Sequence, residues 1–137
     1  MRKIVFAALA ALVLALPVLG QALSLGNWAV NHTPAVNTVA SASRAASAIN
    51  KTHVATGCSG SVTTVVAQPA LTLSLTDGAT VLWSMTTACA ISSPCTLSSG
   101  LLNVPGTANT ALTCAWSGIP AVGNFEVATV TGYDVGS

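Results

Sequence analysis

The strongest pattern in the chain is strict alternation. Leu71, Leu73 and Leu75 alternate with Thr72, Ser74 and Thr76 after Pro69, the period of two that marks a half-buried strand. Asp77 and Gly78 follow, and both tolerate the positive φ angles of a tight hairpin turn. Residues 80 to 86 then read as the return strand, with Leu82 or Trp83 facing the core.

The same logic extends to both sides. In residues 53 to 66, Val54, Thr56, Cys58, Val62, Thr64 and Val66 share a face, and Gly57 and Gly60 allow a bulge or a close backbone approach. His53 opens this strand and is expected to point to solvent. Later runs cover residues 96 to 104, residues 111 to 117 with Leu112, Cys114 and Trp116 on one face, and a final strand carrying Phe125, Val127, Thr129, Thr131 and Tyr133 on one face. Gly118, Pro120, Gly123 and Asn124 mark the last turn. About seven strands at roughly ten-residue spacing predict an all-β fold, a single antiparallel β-sandwich or jelly-roll-like domain.

Upstream the pattern weakens. Residues 23–52 are rich in Ala, Ser, Thr and Asn and read as an arm leading into the domain of residues 53–137; Val39 to Ser43 alternates as an edge strand would. Residues 1–22 have the three parts of a secretory signal peptide: Arg2 and Lys3, an apolar stretch from Ile4 to Leu19, and small residues around Gly20 and Ala22. The apolar stretch is broken by Pro17 and is shorter than the ~20 residues of a bilayer span, which favours cleavage over a retained anchor and predicts no transmembrane span afterwards.

Export changes how the four cysteines are read. An even count in an oxidising compartment predicts two disulfides. Cys89 and Cys95 bracket a short loop, which favours a local bridge and leaves Cys58 to pair with Cys114, both on inward-facing parities. A zinc site lacks C-x-x-C spacing, and no cofactor motif is present.

Charge is scarce: only 5% of residues are charged. Without the signal, Arg44 and Lys51 face Asp77, Glu126 and Asp134, two cations against three carboxylates for a net charge of −1. Two separated cations make no basic patch, so nucleic acid is not an expected partner. A Ser/Thr exterior with so little charge favours self-association or packing on a larger surface.

Several segments of the C-terminal half resemble small proteins of tailed phages, prophages and related bacterial genomes. They are Asp77-Gly78-Ala79-Thr80, Leu82-Trp83-Ser84, Ser99-Gly100-Leu101, Gly106-Thr107-Ala108-Asn109-Thr110-Ala111, Gly123-Asn124-Phe125-Glu126 and Thr131-Gly132-Tyr133-Asp134-Val135. The resemblance implies a single jelly-roll or sandwich module with a virion-associated or surface-displayed structural role. The signal peptide and the Cys89–Cys95 segment depart from that pattern and shift the expectation towards an exported protein.

Candidate chemistry is thin. His32 and His53 have no evident orienting partner, Asp77 is accounted for by its turn, and Glu126 and Asp134 share a face of the final strand eight residues apart. No nucleophile frame such as G-x-S-x-G occurs, so the expectation is a non-enzymatic protein. A glycan is the alternative ligand: Trp28 and Tyr133 are the aromatic residues expected to be exposed, with Trp116 assigned to the core and Trp83 ambiguous. The sequons Asn31-His32-Thr33 and Asn50-Lys51-Thr52 read as incidental.

Overall fold

The computed structural model describes residues 26–46 and 51–136; the expected signal peptide, residues 1–22, lies outside the described residues. Among the described residues nine strands form: β1 (Asn27–His32), β2 (Ser41–Arg44), β3 (Lys51–Thr63), β4 (Gln68–Asp77), β5 (Thr80–Cys89), β6 (Cys95–Ser98), β7 (Val104–Pro105), β8 (Leu112–Trp116) and β9 (Phe125–Gly136). Among the described residues there is no helix.

The strands pair antiparallel in two sheets. One has the order β1-β9-β3-β6, with β7 also on β3, and the other has the order β2-β8-β4-β5. Apart from the β4–β5 hairpin and the β6–β7 step along β3, successive strands therefore cross between the sheets, wrapping the chain as a jelly roll does. The strand directions gather the β1–β2, β3–β4, β5–β6 and β8–β9 connections at one end and put the β4–β5 and β7–β8 connections at the opposite end, while β6 and β7 run the same way along β3.

Each sheet turns one face inward. Leu71, Leu73 and Leu75 of β4 and Leu112, Cys114 and Trp116 of β8 are buried as alternation predicts, and on β9 Ala128 and Val130 form the buried face. The Cys58–Cys114 bridge links β3 to β8 and so crosses from sheet to sheet through the core, while Cys89–Cys95 closes the β5–β6 loop. Both pairings match the expectation from parity and spacing, and two disulfides suit an oxidising, extracytoplasmic environment.

The hairpin forms where expected, with one refinement. Asp77 pairs with Thr80, so the loop is Gly78-Ala79, and only Gly78 has a positive φ, 56°. A glycine at the first of two central positions is the type II′ preference. Asp77 is not in the left-handed region; its buried carboxylate instead accepts the Thr107 N–H at 2.7 Å, tying the hairpin to the β7–β8 loop.

Two expectations need correction. In residues 23–52 the edge strand expected at Val39 to Ser43 forms as β2, on β8, but the segment before it is more than an arm, since β1 lies against β9 as a second edge strand. Their alanines and serines gave a weak pattern because a small side chain at an edge needs little hydrophobic area to be held by ladder hydrogen bonds. The single face expected for residues 53 to 66 is also split. The register of β3 on β9 shifts between Ala55 and Gly57, a bulge that inserts one residue and inverts the parity upstream. Cys58 and Val62 keep the inward face, but His53 and Ala55 now turn inward too, and His53 is fully buried instead of meeting solvent.

Candidate functional site

The bulge creates a polar cluster that joins four strands. It delivers His53 to the inner side of β3, directly across from Asp134 on β9. The end of β2 brings Arg44 and the start of β1 brings Trp28. Gly132, which pairs with Trp28, is required here, since a Cβ would collide with both the indole ring and the Val54 carbonyl.

Asp134 is the hub. Its Oδ1 accepts the Trp28 indole N–H and contacts His53 Nδ1, both at 2.6 Å, and its Oδ2 accepts from Arg44 Nη2 at 3.1 Å. His53 Nε2 lies 2.8 Å from the Ala45 carbonyl. Both ring nitrogens thus face oxygen atoms, one of a carboxylate and one of a backbone carbonyl. The His53 ring meets Trp28 edge-on, and the Arg44 guanidinium lies 5.5 Å from the Trp28 ring centroid. Burial pushes the Asp134 carboxyl up, but the hydrogen bonds from His53, Arg44 and Trp28 outweigh it and hold the group below its ordinary value.

In chemical terms the cluster is closed. Neither His53 nitrogen is left to take a proton from a substrate, and Asp134 is occupied on both oxygens. Four strands are clasped at one end of the sandwich.

A second polar centre holds the opposite end. Asn124 is fully buried in the β8–β9 loop; its Oδ1 accepts the Val65 and Val66 N–H groups, and its Nδ2 donates to the Val66 carbonyl and to Gln68 Oε1. Gln68 Oε1 also accepts the Ala121 N–H, and Asn37 joins the β1–β2 loop to Gly123 and Asn124. Thr64 connects to Ala90 and Ser93 of the β5–β6 loop. All four connections at this end are therefore bonded to one another.

Glu126, next to Asn124 on β9, is fully buried. Its Oε2 accepts the Ala40 N–H at 3.0 Å, whereas Oε1 has no hydrogen-bond partner. Burial raises its pKa and the Ala40 bond opposes this only in part. Stability from a raised carboxyl is fully present below the unfolded value and is lost as pH rises through the folded value. Glu126→Gln keeps the Ala40 contact and cannot ionise. We expect its unfolding free energy to match the wild type near pH 4 and to exceed it increasingly at higher pH, with a slope of up to ~1.4 kcal/mol per pH unit between the two pKa values. Urea denaturation across pH checks this; a gap that stays constant with pH refutes it.

The same end carries an apolar surface. Val36, Val65, Val66, Ile91, Ile119 and Val122 sit on its four connections with their side chains in solvent, Ile119 at 72% and Val122 at 79% exposure. No charged residue occurs in these connections.

The outer sheet faces are hydroxylated. Asn31, Thr129, Ser59 and Ser98 form one cross-strand row, with Thr129 donating to Asn31 at 3.2 Å. Ser41, Ala115, Ser74 and Ser84 form another on the second sheet. A shallow cleft of about 280 Å³ crosses the first face, lined chiefly by Ser59, Ser61, Thr96, Ser98, Val127 and Thr129.

Trp28 and Tyr133 do not form a shared platform. Trp28 is half-buried on the inner side of its sheet with its N–H committed to Asp134, whereas Tyr133 lies on the outer face and donates its hydroxyl to Asn103 at 2.8 Å. The sequence pattern did not single out Arg44 or Asn124 as site residues, and it placed His53 in solvent; the two glycines flanking the Cys58 region were the available hint of the bulge. No protein-family model matches this chain, and no curated protein matches it.

Proposed function

We propose that this protein is an exported, non-enzymatic structural module that assembles with copies of itself or on a larger surface, such as a virion or cell envelope. The observation that carries this reading is the uncharged end bearing six exposed aliphatic side chains, since contiguous apolar patches on a soluble domain mark interaction sites. The buried polar groups support it, because their hydrogen bonds are spent on holding strands and loops together. The jelly-roll wrapping and the resemblance to phage and prophage proteins favour the same class of role by analogy.

The test is location and attachment. The wild-type protein is expected to sediment with particles or envelope, and the Ile119→Asp/Val122→Asp variant to be released while keeping its thermal unfolding transition. Equal soluble fractions for both proteins would sink the reading.

A neutral glycan is the second reading, favoured by the charge-free cleft over Ser59, Ser61 and Thr96, where hydroxyl groups stand beside apolar surface from Leu97 and Val127. A glycan array separates the two, since specific binding weakened by Ser59→Ala/Ser61→Ala supports this one and a blank array removes it.

A further inference from the structure

The longest open strand edge in the described residues belongs to β5. It pairs only with β4, and it spans ten residues, against six for edge strand β1 and four each for β2 and β6. Long edges are normally blunted by charge, proline or irregularity, because their unpaired N–H and C=O groups invite another strand. The sequence of β5, TVLWSMTTAC, contains no charged residue and no proline. Its irregularity is confined to its ends: register shifts fall between Leu75 and Thr76 on one side and between Gln68 and Leu71 on the other.

Between them the register is unbroken, from Leu71↔Thr87 to Leu75↔Trp83, and this stretch is centred on Met85. Met85 pairs with the fully buried Leu73 and so has the core-side parity, yet 45% of it is exposed.

We propose that β5 pairs antiparallel with β5 of a second copy about a two-fold axis at Met85, joining two four-stranded sheets into one of eight. Met85 then meets its own symmetry mate, Ser84 meets Thr86, and Trp83 meets Thr87. A two-fold contact sets a patch against itself, so a charged edge would repel its own copy. This edge holds no charge, and the two-fold register sets Met85 on Met85 and the Ser84 hydroxyl beside that of Thr86, so the edge is complementary to itself and its occupant is a second copy of the same chain. The proposal rests on the assembly reading and deepens it by naming a partner and a surface, at the side of the sandwich and away from the apolar end.

Sedimentation velocity of the mature, disulfide-bonded protein over a wide concentration range tests it. The wild type is expected to reach twice the monomer mass. Met85→Lys places two ammonium groups opposite each other and is expected to weaken dimerisation by roughly tenfold or more. Ala29→Lys on the β1 edge is expected to leave dimerisation unchanged. Hydrogen exchange guards against misfolded variants, because in the wild type the outward N–H groups of β5 should gain protection at dimer concentrations and lose it on dilution. A dimer that persists in Met85→Lys, without β5 protection, overturns the edge contact while leaving assembly through another surface standing. A wild type that stays monomeric at every concentration overturns the proposal outright, and particle attachment then decides the broader reading alone.

Discussion

Removing the bridge between the sheets, as Cys58→Ala/Cys114→Ala, is expected to cost about 4 kcal/mol of unfolding free energy, against about 2 kcal/mol for Cys89→Ala/Cys95→Ala. The difference follows from the loops that the bridges close: Cys58 and Cys114 are 56 residues apart, and Cys89 and Cys95 only 6. A longer loop restricts the unfolded chain more. The inter-sheet bridge also fills core volume, with Cys58 and Cys114 both at or near zero exposure among Leu73, Leu75 and Trp116, so alanines there leave space that the core must close. Guanidinium denaturation of the two double variants checks the ranking. If the loop variant proves the less stable of the two, the strain or unfolded-state structure around Cys89–Cys95 governs instead of loop length.

That ranking could be drawn from the sequence, because parity alone placed Cys58 and Cys114 inward. Alternation read well where side chains were large: the leucines of β4 and the Leu112, Cys114 and Trp116 face of β8 fall where period two puts them, and Phe125 to Tyr133 share one face of β9, which the structure turns outward. It failed where side chains are small or the period breaks. The alternation from Val39 to Ser43 was enough to mark β2, but Asn27, Ala29 and Asn31 carry too little hydrophobic contrast to announce β1. The bulge at residues 55 to 57 shifts the count by one, and a shift of one sends every upstream side chain to the other face. His53 was misplaced for that reason, and the clasp around Asp134 was hidden with it. Asn124 illustrates a different limit. As a turn residue it was legible, but its four hydrogen bonds reach the distant residues Val65, Val66 and Gln68, which only the wrapping of the chain brings near.

The clasp should be worth nearly as much as the core bridge. Asp134→Ala leaves the buried His53 facing an empty space, frees the Trp28 indole N–H and separates Arg44 from its carboxylate. Breaking a buried pair by removing one partner costs ~3–5 kcal/mol, and the partial exposure of Asp134 and Arg44 places the expected loss near the bottom of that range, about 3 kcal/mol. The loss should depend on pH in a defined direction. Because the folded-state pKa of Asp134 lies below its ordinary value, its contribution is fully present above the unfolded value of about 3.9 and disappears as pH falls through the folded value. The stability gap between wild type and Asp134→Ala should therefore be widest near neutrality and should narrow on acidification below about pH 4. Glu126 acts in the opposite sense over its own window, since its stabilising protonated form is lost as pH rises. Measured together, the two single variants and the double variant separate the effects: the acid-side slope should vanish with Asp134→Ala, the alkaline-side slope with Glu126→Gln, and both in the double variant. The residues sit at opposite ends of β9, eight positions and more than one Debye length of strand apart, so their effects should add. A gap for Asp134→Ala that stays constant down to pH 2 would mean that packing of Trp28 and His53, and not the charge on Asp134, holds this end of the sandwich closed.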